Sequence, residues 1–184
     1  ARLPALTGRW NQKIGDDLNM SLRTMAHEKR IESNEEWSWG VGLGAKYDFT
    51  PQTSLKADYY HVKGDSSFVS WTNSGVVKQG SEIVALSEFD SITVGVAQKI
   101  NDKTRATLGY GYMKFKEDQT YIAALPQANK ELWQAWVNVF YSPVKSISFG
   151  LEYVYGEREV FTALEDGTKK GEDNRVSMLA QYNF

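Results

Sequence analysis

Strict alternation of apolar and polar residues constrains this chain more than any other feature. From Trp37 to Phe49, every second residue is apolar: Trp37, Trp39, Val41, Leu43, Ala45, Tyr47 and Phe49. Between them lie Ser38, Gly40, Gly42, Gly44, Lys46 and Asp48. A helix would scatter these two sets around its circumference, whereas a strand separates them onto two faces. Residues 174–184 repeat the pattern, with Val176, Met178, Ala180, Tyr182 and Phe184 set against Arg175, Ser177, Leu179, Gln181 and Asn183. Terminal segments of soluble domains are commonly polar and frayed. This one stays within the alternation to an aromatic residue.

Seven further segments share the pattern, near residues 5–12, 18–27, 54–60, 92–100, 105–113, 133–141 and 147–158. Their connections alternate in character. Those near 14–17, 50–52, 101–103 and 142–145 are short, and those near 32–36, 64–89, 116–130 and 159–173 are longer or strongly charged. Within the longest, residues 82–86 suit a short strand or a short helix. Transmembrane barrels combine short periplasmic turns with longer extracellular loops, whereas a β-sandwich has no reason to alternate in this way.

Charge placement sharpens the reading. The central part of the apolar parity carries no Asp, Glu, Lys or Arg, and Glu28, Arg30, Lys63, Lys114 and Glu157 sit only at segment ends. A lipid-facing Arg or Lys at mid-bilayer costs about 2–4 kcal/mol and much less near the interface. Aromatics collect near the ends, as interfacial girdles require. The mean hydropathy of −0.48 is compatible with a membrane location, since only alternate residues meet lipid. The sequence has no cysteine, no apolar run long enough for a membrane-spanning helix, and a net charge of −2. These features argue against thiolate metal sites, helical spans and a nucleic-acid partner. The expectation is an all-β, antiparallel transmembrane β-barrel segment spanning 1–184, with a long extracellular loop near 64–89 and no cofactor or metal.

A count of nine strands does not close a barrel. The first and last strands would run the same way, whereas bacterial single-chain barrels have even strand numbers. Either a strand is hidden near 82–86, or the segment is the later part of a longer barrel with its amino-terminal strands absent. The second reading is preferred.

The stretches Asp58-Tyr59-Tyr60-His61-Val62-Lys63-Gly64-Asp65, Thr107-Leu108-Gly109-Tyr110-Gly111, Tyr141-Ser142-Pro143-Val144-Lys145 and Glu152-Tyr153-Val154-Tyr155-Gly156-Glu157-Arg158-Glu159, with the ending Tyr182-Asn183-Phe184, carry a family likeness. On these residues the chain resembles the DcaP-like porins of Gram-negative bacteria. The resemblance implies the later part of a trimeric outer-membrane channel of about sixteen strands, taking up dicarboxylate-like anions. Tyr182 and Phe184 are similar to the terminal assembly signal of bacterial outer-membrane barrels.

With the apolar parity toward lipid, the other parity faces the lumen. It carries Arg9, Arg23, Lys46, Lys56, Arg105, Arg158 and Arg175, against the acids Asp48, Asp58 and Glu152. A basic excess in a low-dielectric channel draws anions in. The plainer alternative is that these groups pair as structural ladders, Asp48, Asp58 and Glu152 being close in sequence to Lys46, Lys56 and Arg158. The inward glycines Gly40, Gly42, Gly44, Gly109 and Gly111 either widen the lumen or let the wall or a loop pack closely. Segment 64–89 either stays exposed or folds into the channel. Catalysis is not expected, because His27 and His61 have opposite parity and share no face. The rival of another class is a plugged adhesive or structural barrel, with inward Tyr60, Trp136 and Phe140 forming a solid core.

Overall fold

The structure, a computed structural model, describes residues 2–32, 34–70 and 72–183. The alternating segments are extended, since only a two-residue repeat keeps each polar set on one side. The strands are β1 (Leu6–Ile14), β2 (Leu18–Ile31), β3 (Asn34–Thr50), β4 (Thr53–Lys63), β5 (Val76–Gln79), β6 (Glu82–Leu86), β7 (Glu88–Lys99), β8 (Thr104–Phe115), β9 (Asn129–Val144), β10 (Ile147–Val160) and β11 (Lys170–Tyr182). Nine of them form one antiparallel sheet in chain order, β1-β2-β3-β4-β7-β8-β9-β10-β11. Among the described residues β1 pairs only with β2 and β11 only with β10, so the sheet is open. Its strands run from 9 residues in β1 to 17 in β3. A membrane-crossing strand needs roughly 9–11, so the longer strands continue beyond a bilayer.

The nine alternating segments are the nine strands of this sheet, and residues 82–86 add none to it. They form β6, which pairs with β5 in a separate hairpin within the long connection. The charged stretch around 32–36 is mostly strand, because β2 and β3 stay paired out to Ile31 opposite Asn34. Arg30 supports this extension by bridging Glu35 at 2.8 Å and Glu28 at 3.5 Å. The connection near 116–130 contains one short helix, α1 (Gln119–Ala124), whose first turn is capped by Asp118 accepting from the Tyr121 backbone N–H at 2.7 Å. At the opposite end of the sheet, Gly15 supplies the positive φ of 62° that the β1–β2 turn requires.

Register keeps each parity on its own face across the whole sheet. Arg9 lies opposite Arg23, Arg23 opposite Gly42, and Gly42 opposite Tyr60. The apolar face is uncovered: Leu43 is 53 % exposed, Leu108 63 % and Val176 62 %. The buried core lies on the other face, near the long connections. Met25, Val62, Phe89, Met113 and Phe115 form it, with Tyr60, Phe68, Val69, Leu132 and Phe161 packed around them. The alternation therefore inverts at that end. The face that is apolar along mid-sheet turns to Glu28, Lys63, Glu88, Lys114 and Glu131, and the polar face turns to buried hydrophobics.

Residues 64–70 of the long connection fold onto this core instead of standing clear. Gly64 turns the chain at φ 80°, where a Cβ would come within 2.7 Å of the Ser38 side chain. A single 3-10 turn, Ser66–Phe68, then brings the Phe68 ring edge-on to Tyr60 with centroids 5.8 Å apart.

Candidate functional site

The polar face gathers all ten charged residues singled out from the sequence. Arg9 is on β1 and Arg23 on β2; Lys46 and Asp48 are on β3, and Lys56 and Asp58 on β4. Arg105 is on β8, Glu152 and Arg158 are on β10, and Arg175 is on β11. Register places them on one side, because each strand contributes its same-parity positions.

Among the described residues, two of the seven cations are neutralised. Arg23 bonds Asp58 at 3.0 Å, and Lys46 reaches Asp48 at 2.7 Å. Sequence proximity had suggested Lys56 for Asp58 and Arg158 for Glu152. Asp58 instead takes Arg23 from two strands away, and Glu152 accepts from the Asn138 amide at 3.2 Å. Among the described residues Arg9, Lys56, Arg105, Arg158 and Arg175 make no ion pair, although Arg9 donates to Asn11 at 3.0 Å. Arg9, Arg23, Lys46 and Lys56 converge on one cavity of about 610 Å³ near the short-turn end.

Three glycines of the polar face are seats for aromatic rings of the neighbouring strand. Tyr60 lies directly opposite Gly42, Trp136 opposite Gly109 and Phe140 opposite Gly150. A Cβ at Gly42 or Gly109 would clash with atoms of the partner ring, and one at Gly150 would come within 2.7 Å of Phe140. Each ring thus lies along the sheet instead of projecting from it. Two rings also carry a guanidinium, with Arg23 5.6 Å from the Tyr60 centroid and Arg105 4.6 Å from that of Phe140. Cross-strand glycine–aromatic pairing was not anticipated. The spacing of glycines and aromatics hints at it, but which pairs meet depends on register.

At the long-connection end, the infolded segment is latched to the sheet. Asp65 takes Lys29 at 2.7 Å and His27 Nδ1 at 3.0 Å, and it accepts from the Ser67 backbone N–H at 3.0 Å. Burial pushes the Asp65 carboxyl up, but hydrogen bonds from Lys29, Ser67 and His27 outweigh it and hold it at about 2. A second clasp joins Asn73 and Asn129, whose backbone and side-chain amides exchange two bonds of 2.8 Å each. His61 is on the opposite face, 2.9 Å from Asp90, so the two histidines do not meet. Among the described residues no acid and histidine cluster suits a metal ion.

Tyr182 closes β11 opposite Ile147, with its side chain on the exposed apolar face; Phe184 lies outside the described residues. An uncovered apolar face girdled by aromatics, with a charged polar face behind it, is the division expected of a membrane wall. A family model described as DcaP outer membrane protein matches residues 1–184.

The chain belongs to the DcaP outer membrane protein family. It is accordingly a protein of the bacterial outer membrane. The crystal structure of the outer membrane channel DcaP of Acinetobacter baumannii matches it with a TM-score of 0.88 and 34 % sequence identity. That match covers 99 % of this chain and 52 % of the solved one, so the chain spans about half the length of that channel. No curated protein matches the chain.

Proposed function

We propose that this sheet is the later part of a porin wall, its polar face lining a water-filled lumen that passes small anionic, dicarboxylate-like solutes by diffusion. The observation that carries the reading is the uncompensated charge. Five cations on the polar face lack an acidic partner among the described residues, while Asp48 and Asp58 are spent on Lys46 and Arg23. In a low-dielectric channel such an excess raises the local concentration of anions. Of the inward aromatics, Tyr60 joins the outer-end core, whereas Trp136 and Phe140 stand apart from it.

An open sheet edge in lipid leaves backbone groups unsatisfied. Because β1 and β11 run in the same direction, closing the sheet with antiparallel neighbours requires an odd number of further strands. A barrel of about sixteen strands satisfies this, and its assembly as a trimer follows the family reading. Tyr182 and Phe184 act as the terminal assembly signal.

The test is the reversal potential of the channel, purified from the outer membrane, in a planar bilayer under a salt gradient. Anion selectivity that weakens on substituting Arg105→Gln and Lys56→Gln supports the reading. Cation selectivity would overturn the charge assignment and keep the channel. No conductance from a demonstrably folded protein would favour a plugged adhesive or structural barrel.

A further inference from the structure

On the polar face, neighbouring strands meet three times with cation against cation. Among the described residues Arg9 lies directly opposite Arg23, Lys46 opposite Lys56, and Lys99 opposite Arg105. Like charges in directly opposed positions destabilise a sheet. The outer end of the apolar parity shows the stabilising arrangement, with Arg30 opposite Glu35 at 2.8 Å and Lys114 opposite Glu131 at 2.9 Å. A local rule broken three times on one face points to function rather than stability.

Each pair is built alike. One member is bonded to an acid: Arg23 to Asp58 at 3.0 Å, Lys46 to Asp48 at 2.7 Å and Lys99 to Asp102 at 2.9 Å. The other member has no acid among the described residues. Arg9 donates to the Asn11 side chain, Lys56 has side-chain-free Gly95 on its far side, and Arg105 lies over the Phe140 ring. Two cations and one carboxylate leave each pair a single net positive charge.

Their placement is also regular. The pairs occupy three successive short-turn hairpins of the sheet, β1–β2, β3–β4 and β7–β8. Five rungs separate Arg9 and Arg23 from the short-turn end of their ladder, three separate Lys46 and Lys56, and Lys99 with Arg105 forms the last rung of its own. The pairs thus step toward that end of the sheet. The first two border the same cavity of about 610 Å³.

We propose that each pair is an anion station, a carboxylate sitting between its two cations, and that the three stations form a relay along the lumen wall. The anion relieves the repulsion that the empty pair carries. The acid limits how firmly the anion is held, so that it leaves for the next station. Conduction needs sites that bind well enough to admit an ion and weakly enough to release it. Arg9, Lys56 and Arg105 are then the residues that set selectivity, and Asp58, Asp48 and Asp102 set the residence time. The inference rests on the polar face lining the lumen, and it deepens that reading by assigning the places where a dicarboxylate-like solute pauses.

The test measures current through the channel, purified from the outer membrane, at rising potassium succinate with no other salt. Wild-type current is expected to saturate. Lys56→Gln cancels the net charge of one station, so saturation should move to higher succinate. With the repulsion gone, its folded form should be no less stable than the wild type. Asp48→Asn strengthens the same station. Half-saturation should fall by about threefold, the scale of an exposed ion pair, and maximal current should fall with it, because each anion leaves more slowly. A diffuse basic field predicts the opposite, since removing an acid would raise succinate current at every concentration. Asp58→Asn repeats the comparison at Arg9 and Arg23. A lower maximal current in either acid variant, with the folded form retained, supports the relay. Unchanged or higher current in both, or wild-type current that never saturates, would overturn the relay and leave an anion-selective channel. A cation-selective or non-conducting wild type would instead fail the porin reading.

Discussion

At the residue scale, glycine and aspartate positions decide how the polar face is built. Gly109 gives up its side chain so that Trp136 can lie across it, whereas Gly111, two residues along on the same face, meets only ordinary contacts. Gly109→Val is therefore expected to destabilise the folded protein by about 1–3 kcal/mol, through overpacking. Gly111→Val should leave stability nearly unchanged, and the temperature at which each loses its folded, gel-shifted form separates the two. Asp65 makes a different prediction. Its carboxyl is held at about 2, below the ordinary carboxylate value of 3.8. The latch to Lys29 and His27 thus contributes stability above about pH 4 and loses it as the pH falls toward 2. Amide exchange at residues 64–70, corrected for intrinsic rate, should quicken over that window in the wild type. Asp65→Asn should be fast at neutral pH and insensitive to the same change. A wild-type rate flat from pH 6 to pH 2 would count against the latch.

At the scale of elements, each strand runs through two environments. Along β8, Leu108 and Tyr110 face outward at mid-strand, and Lys114 takes the same parity at the end, bonded to Glu131 at 2.9 Å. On the other parity, Thr107 and Gly109 give way to Met113 and Phe115, which are buried under the infolded segment. On the proposed reading, the swap marks where the outer side leaves lipid for water and the inner side leaves the lumen for packed loops. Leu108→Arg is accordingly expected to cost about 2–4 kcal/mol in a lipid bilayer, read from urea unfolding in liposomes. Thr107→Arg, one residue away on the polar face, should fold with wild-type stability and shift the reversal potential toward anions. Equal losses from both would contradict the assignment of faces. Alternation, the nine strands of the sheet and the charge-free mid-strand band were all readable in sequence, because each depends on local parity alone. The inversion was written there too, in Met25, Val62, Met113 and Phe115, but its meaning depends on what packs against those residues.

At the scale of the molecule, nine strands in sequential order make a sheet that ends in two unpaired edges of the same direction. That arithmetic follows from the number of reversals along the chain. Readable from sequence alone were the all-β class, the nine strands of the sheet, the parity of the ten charges singled out on the polar face and the placement of short turns at one end, whereas the strand Val76–Gln79 was not. Each is set by short-range chemistry: two-residue periodicity, turn residues, and the cost of charge in lipid. Which groups meet was set by the tertiary structure. It paired Arg23 with Asp58 across two strands, left Arg158 and Lys56 without acids among the described residues, laid Trp136 over Gly109, and folded residues 64–70 onto Met25 and Phe89. It also placed 82–86 in a hairpin of its own rather than in the wall. The physical reason is register. Parity tells which side a residue faces, but its neighbours on that side depend on how far each strand slides along the next, and that is settled only when hydrogen-bond ladders and packed side chains agree across the whole sheet.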